Sequence, residues 1–294
     1  MRAESVVSCC FQFIFGSSDM NIPFVKMHAL GNDFVVMRGK GAPHFDANFI
    51  RTISNRYSGI GFDQLLWLEP PHTLGNDIFY RIFNADGGEV EQCGNGARCI
   101  ARLLAGEQPD YQRIYLMEYG LGVIQATIAP DSMVSLNMGI PSTEPAALPF
   151  VTTQPEAPYT VRAAGQDVQF RIVSMGNPHA VLMVDDVSTA AVATLGPALE
   201  SHECFPNRAN IGFMQVVDRS HVVLRVFERG VGETRACGTG ACAAAVAARL
   251  ADSVDHEVTV SLPGGDVQIH WGGPGSELYL KGEAITVFEG QING

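Results

Sequence analysis

Arg81-Ile82-Phe83-Asn84-Ala85-Asp86-Gly87-Gly88-Glu89-Val90-Glu91-Gln92-Cys93-Gly94-Asn95-Gly96-Ala97 returns 144 residues later as Arg225-Val226-Phe227-Glu228-Arg229-Gly230-Val231-Gly232-Glu233-Thr234-Arg235-Ala236-Cys237-Gly238-Thr239-Gly240-Ala241. Eight of the seventeen positions are identical, where ordinary amino-acid usage gives about one. Fainter echoes sit at slightly drifting offsets, with Gly31-Asn32 against Gly176-Asn177 and Gln64 against Asn210. The chain therefore reads as two homologous halves. Between them, Gly139 to Pro158 carries Pro141, Pro145, Pro149, Pro155 and Pro158 with few charges, a linker-like stretch.

Around each copy the local structure can be placed. Ile78 to Asn84 and His221 to Glu228 have strand composition and end in polar turns. Gly94 to Leu104 and Gly238 to Leu250 read as helices that open on glycines. The second is small and apolar on every side from Ala241 to Ala248, so it must be buried all round. Strand-like runs at Val123 to Ile128, Val168 to Val173, Ala180 to Val184, Ile211 to Val217, Val258 to Leu262 and Val267 to Trp271 surround these helices. The expected class is α+β: two pseudo-symmetric homologous domains, each a curled, mostly antiparallel β-sheet or barrel around a central buried helix. Periodicity alone does not separate a closed barrel from an open sheet.

Composition narrows the function. With 294 residues, 46% apolar and 17% charged, the chain is long enough for a large core and outside the disordered range. A formal charge of −12 argues against a nucleic-acid partner. Lysine occurs only at Lys26, Lys40 and Lys281, few candidates for the Schiff base a pyridoxal enzyme needs. No apolar run approaches membrane-spanning length. Val6 to Phe15 is a weak signal-like stretch, interrupted by Ser8 and Gln12, and residues 1–19 read as an extension before a natural start at Met20. Seven cysteines, an odd number at low density, imply no disulfide scaffold and fit a reducing cytoplasm.

In both halves Cys-Gly-x-Gly leads into the helix. The first amides of a helix lack partners and carry the positive end of its dipole, so glycines there let a carboxylate approach. The same field favours thiolate, which is expected to bring Cys93 and Cys237 toward neutral pH. Three blander readings compete. Buried small apolar residues suit Cys99 and Cys242; zinc fits poorly with the Cys93-x5-Cys99 and Cys237-x4-Cys242 spacings; redox exchange normally needs Cys-x-x-Cys. None accounts for the paired glycines. Halves packed about a pseudo-two-fold axis would set Cys93 and Cys237 on opposite walls of one cleft, where a thiolate takes a proton from one face of a carbon and a thiol returns one to the other. That inverts a stereocentre, with the helix N-termini stabilising charge that spreads into an α-carboxylate and no cofactor required.

These residues make the sequence resemble the diaminopimelate epimerase family. The likeness runs from about Phe24 to Gly290 through Lys26 to Phe34, Gly59 to Gln64, Phe83 to Gly87, Gln92 to Cys99, Ser174 to His179, Glu228 to Gly230 and Ala236 to Ala241. It implies cofactor-independent interconversion of LL- and meso-diaminopimelate, in lysine and peptidoglycan biosynthesis, by a cytoplasmic homodimer. By the same resemblance Cys93 and Cys237 are the acid/base thiols, and Gly94, Asn95, Gly238 and Thr239 hold the reacting carboxylate. Glu228 and Gln64 take the α-ammonium, Asn32 borders the site, and Asn84, Asn177, Asn210 and Arg229 meet the distal end, while His179 tunes the thiols. The implied domains are 20–137 with 283–294, and 138–282. Phe288 stands where relatives carry a Tyr linked to dimer contacts.

Two rivals remain at this level. One is a proline-racemase-like isomerase on the same duplicated scaffold, against which Glu228-Arg229 and three site asparagines favour a second zwitterionic group. The other is a non-catalytic thiol module that binds metal or senses oxidation. The two-thiol scheme also predicts a bell-shaped pH profile and reversible inactivation when oxidation joins Cys93 to Cys237.

Overall fold

The computed structural model describes residues 21–43, 45–90 and 93–293. The expected extension 1–19, Met20, Cys9, Cys10 and the motif residue Gln92 lie outside the described residues. The first half runs β1 (Asn21–Ala29), β2 (Asn32–Arg38), α1 (Ala47–Ser54), β3 (Gln64–Glu69), β4 (Ile78–Asn84), β5 (Glu89–Val90), α2 (Gly94–Ala105), β6 (Tyr115–Tyr119), β7 (Gly122–Ile128) and β8 (Val134–Asn137). After β9 (Tyr159–Ala163) the second half repeats the order: β10 (Gln166–Ser174), β11 (Pro178–Met183), α3 (Val192–Glu200), β12 (Asn210–Asp218), β13 (His221–Glu228), β14 (Gly232–Thr234), α4 (Gly238–Leu250), β15 (Glu257–Leu262), β16 (Gly265–Trp271) and β17 (Leu278–Gly282). β18 (Ile285–Asn293) ends the chain.

The duplication is explicit in the pairing. From β1 through β2, β3, β4, β6 and β7 to β8, successive neighbours are antiparallel, parallel, antiparallel, parallel, antiparallel and antiparallel. From β10 through β11, β12, β13, β15 and β16 to β17 the alternation is the same. At the outer edges β18 lies antiparallel to β1, and β9 antiparallel to β10. The halves join where β8 pairs with β17, so the ladder continues into its own repeat instead of closing as a barrel. Even side-chain braces repeat: Arg81 grips Glu89 with two hydrogen bonds, and Arg225, its equivalent, grips Glu233 in the same way.

Each sheet wraps a helix. The face of β1–β4 bearing Val25, Met27, Phe34, Val36, Leu66 and Ile82 packs around α2, through Ala97, Cys99, Ile100 and Ala101. In the second half Val181, Met214, Leu224, Val226 and Val260 pack around α4, where every residue from Gly240 to Ala248 is buried. A second layer was not expected from sequence. Phe24, Val35, Met37, Leu65 and Trp67, on the opposite face of the same strands, pack under α1 through Ile50 and Ile53. α3 covers Phe170, Ile172, Leu182, Ile211 and Phe213 in the same manner. With both faces buried these strands lose the alternation that marks a half-exposed strand, which hid β1, β2 and β3 from a reading of periodicity.

The proline-rich stretch 139–158 holds a short 3-10 turn at Pro145–Ala147, but it is not a free spacer. Leu148 and Phe150 are buried in the second half's outer core, with Phe150 edge-on to Tyr159 and Phe170. Its prolines stiffen a strap that is glued down by apolar contact.

Candidate active site

Cys93 is the N-cap of α2 and Cys237 the N-cap of α4; both backbones are extended, and neither thiol caps its own helix. Each carbonyl accepts the first helical hydrogen bond, from Ala97 N and Ala241 N, at 2.9 Å. Each sulfur is thereby left at a helix mouth, free for other partners. Glycine is needed close by: a Cβ on Gly240 would stand 3.2 Å from the Cys237 sulfur and 3.0 Å from Val226, and one on Gly96 would press Leu66 at 3.0 Å. Around Gly94, by contrast, no described residue lies within 4 Å of a Cβ position.

The expected drop in thiol pKa does not occur. Burial is the largest influence on Cys93 and pushes it up, against the amides of Gly96 and Asn95 and the charge of Arg98, which pull it down. Cys237 is pushed well above the usual thiol range by burial, and next by the charge and hydrogen-bonding of Glu228. The helix field is present, but desolvation of a buried thiolate outweighs it. Glu228 raises both thiols, so one carboxylate from the second half acts on a cysteine of each half.

The other expected residues fall into repeat-related pairs with known contacts. Asn32 presents Oδ1 to the Cys93 thiol at 3.8 Å and donates Nδ2 to Asp63 Oδ2 at 3.0 Å. Its counterpart Asn177 donates to Thr239 Oγ1 at 3.3 Å, and that hydroxyl lies 3.7 Å from the Cys237 sulfur. Gln64 donates across the β3–β4 ladder to Asn84 at 2.9 Å. The counterparts of this pair are Asn210 and Glu228. Asn210 is buried and braces backbone, donating to Pro178 O at 3.1 Å and accepting from Arg229 N at 3.0 Å. The Arg229 guanidinium is exposed and reaches Asn207 O. Asn95 turns its side chain inward to Arg98.

His179 is fully buried and reaches Cys237 through Asn177 and Thr239, its Nε2 lying 3.0 Å from Asn177 Oδ1. Burial, with some help from the charge of Arg229, lowers its pKa to about 3, so the ring is neutral. Among the described residues the cluster able to hold a metal is His256, Glu257 and His270, exposed and separate from either thiol.

Two residues given no role from sequence belong here. Arg98, wholly buried on α2, donates to Asn95 Oδ1 at 2.7 Å and to Glu283 O at 3.2 Å, with Nη1 lacking a partner among the described residues. Gly282 leaves room for it, since a Cβ there would lie 3.2 Å from Arg98 Nε. Asp63 holds Asn32. Both lie inside the motifs that carry the family resemblance, but a lone helical Arg and a loop Asp look like surface residues until the chain is folded.

Comparison with known proteins agrees with the duplicated fold. The diaminopimelate epimerase family matches residues 24–144 and 171–287, both halves of the repeat. A hydroxyproline epimerase from Agrobacterium vitis, solved with bound trans-4-OH-L-proline, is 15% identical, with a TM-score of 0.65 over 93% of this chain and 92% of that one. A methylitaconate-delta-isomerase is 14% identical, with a TM-score of 0.65 over 94% and 96%. A PhzF-family phenazine biosynthesis protein from Bacillus anthracis is 16% identical, with a TM-score of 0.62 over 93% and 99%. At these identities the solved structures share the fold.

Proposed function

The chain belongs to the diaminopimelate epimerase family, an isomerase family, and on that premise we propose that it interconverts LL- and meso-2,6-diaminopimelate by proton transfer between Cys93 and Cys237, without pyridoxal phosphate. The observation that carries the reading is the shared carboxylate: Glu228 acts on a thiol at the N-terminus of α2 and on a thiol at the N-terminus of α4. An α-ammonium seated on Glu228 would cancel the charge that adds to burial in keeping both thiols protonated. One thiolate then takes the α-proton, the electron pair spreads into the α-carboxylate, and the other thiol protonates the opposite face. The thiol and thiolate exchange roles, so the reverse reaction uses the same groups.

The α-carboxylate would meet the helix-mouth amides at Gly94, Asn95, Gly238 and Thr239, where developing charge is stabilised best. Gln64 joins Glu228 at the ammonium. Asn84, Asn177, Asn210 and Arg229 serve the distal amino-acid end, which needs both donors and acceptors; Asn210 does so as a brace of the Arg229 turn. His179 acts through Asn177. Lysine and peptidoglycan biosynthesis is the setting in which such a product is consumed, and no described helix is long and apolar enough to cross a membrane. A homodimer is part of the proposal, supported by the edge strand β18, which exposes Ile285, Val287 and Phe288.

The test is turnover of LL-diaminopimelate in deuterated water. The expected result is meso product carrying α-deuterium, with Cys93→Ala and Cys237→Ala each slower by roughly 10²–10⁴-fold. Turnover of proline or hydroxyproline in place of diaminopimelate, or retained activity in both variants, would overturn it.

A further inference from the structure

The geometry points to Asp63 as a positioning residue that turns the Asn32 amide so its carbonyl oxygen faces Cys93, biasing that cysteine toward the thiol. The inference rests on the two-thiol reading above. A carboxylate only accepts hydrogen bonds, so the Asn32 group beside Asp63 must be the NH2. Nδ2 donates to Asp63 Oδ2 at 3.0 Å, which leaves Oδ1 toward the sulfur at 3.8 Å. A thiol can donate to that oxygen, whereas a thiolate would face its lone pairs.

Asp63 is itself held from several sides. Oδ2 also accepts from Asp33 N at 3.1 Å, Oδ1 accepts from Arg56 at 2.8 Å, and Asp63 N donates to the Asp33 carboxylate at 3.0 Å. Asp33 in turn binds Arg56 through both oxygens and pairs with Lys26 at 2.6 Å. The network fixes the carboxylate, and the carboxylate fixes the amide. In the second half the repeat-related amide has the opposite sense: Asn177 donates to Thr239 Oγ1, leaving that hydroxyl's proton available to Cys237. Two asparagines at equivalent positions thus offer their thiols different partners, an acceptor at Cys93 and, through Thr239, a donor at Cys237.

The titratable and charged groups that act on Cys93 are Arg98 on α2, Glu228 on β13, Tyr80 on β4, and Cys99 within α2. None is changed by substituting Asp63. The experiment follows alkylation of the full chain by iodoacetamide as a function of pH, with Cys93 and Cys237 read separately by peptide mass spectrometry. In Asp63→Ala the amide is released to turn its NH2 to the sulfur. Cys93 should then alkylate roughly three- to ten-fold faster near pH 7.5, with its midpoint moved to lower pH and Cys237 unmoved. Asp63→Asn keeps an acceptor while removing the charge, and should stay within about two-fold of the original protein on the same hydrogen-bond scale. In an Asn32→Ala background, Asp63→Ala should add nothing further.

An unchanged Cys93 profile in Asp63→Ala, an equal shift in Asp63→Asn, a parallel shift at Cys237, or a full further shift in the Asn32→Ala background would each overturn the inference. Alkylation needs no substrate. Failure to turn over diaminopimelate would therefore strike the proposed reaction and leave the Cys93 result to stand or fall alone.

Discussion

Leu136 on β8 stands directly opposite Leu280 on β17, and Leu280 is its own counterpart 144 residues further along the chain. An antiparallel strand that pairs with its own repeat at equivalent residues marks a local two-fold axis between them. The same offset relates Cys93 to Cys237 and Asn84 to Glu228. The β8–β17 seam thus supplies a physical reason for the two helix mouths to be presented as a related pair. The pair is not identical, because the position held by Asn84 in the first half is held by a carboxylate, Glu228, in the second.

Replacing that carboxylate should separate binding from ionisation. Glu228 raises Cys237 next after burial and raises Cys93 less, so Glu228→Gln should move thiolate formation to lower pH at both, with the larger shift at Cys237. Turnover should nonetheless fall, because the ammonium loses its counter-charge. Alkylation profiles paired with kcat/KM measure both effects; a Cys237 midpoint that stays put or rises would contradict the assigned electrostatics.

Gly264 is expected to be intolerant of a side chain. A Cβ there would fall 2.0 Å from Leu30 O and 3.0 Å from Arg235 O. Leu30 belongs to the turn before Asn32, yet it packs in the core of the second half. Gly264→Ala should therefore pry the Asn32 turn from that half, costing about 1–3 kcal/mol of stability and at least roughly tenfold in kcat/KM through misplacement. Gly41→Ala, with no described residue within 4 Å of its Cβ, is the matched control and should be neutral. Thermal melts and kinetics of the two proteins decide the point.

His179 should make the protein acid-sensitive. Its folded pKa, lowered to about 3, lies below the ordinary 6.5, so the unfolded chain binds a proton that the folded chain refuses. The stability it contributes is complete above about pH 6.5 and is lost progressively as pH falls toward the folded value. His179→Gln retains an amide donor for Asn177 without a titrating ring. Its melting temperature should decline less than that of the original protein between pH 7 and pH 4, and equal declines would refute the assignment.

β18 pairs on one side with β1 and exposes Val287 and Phe288. A long apolar edge strand is a template for association unless it is blunted. Val287→Lys should shift the protein toward monomer in light scattering coupled to size-exclusion chromatography, at unchanged helix content; an unaltered mass would remove β18 from the proposed dimer interface.

Much of this was legible in the residues. β4, β13 and α4 occupy the spans their composition predicts, since an exposed-to-buried alternation or an all-apolar helix leaves a periodic trace. β1 and β2 left none, because Phe24 and Val25, or Val35 and Val36, face different cores and are equally buried. α3 was equally silent, with Gly196 and Pro197 inside it; Gly196 is there because a Cβ would strike the Phe227 ring at 2.7 Å.

The amino-acid order by itself determined the duplication, the two glycine-flanked cysteines at helix entrances and the family, since each is a matter of residue type at a fixed spacing. Only the tertiary structure decided how those cysteines behave. Burial raises both thiols where the helix field alone would lower them, and Asp63 and Arg98 become parts of the site because Asn32 and Asn95 need partners. Desolvation and hydrogen-bond direction are set by neighbours distant in the chain, and no local pattern encodes them.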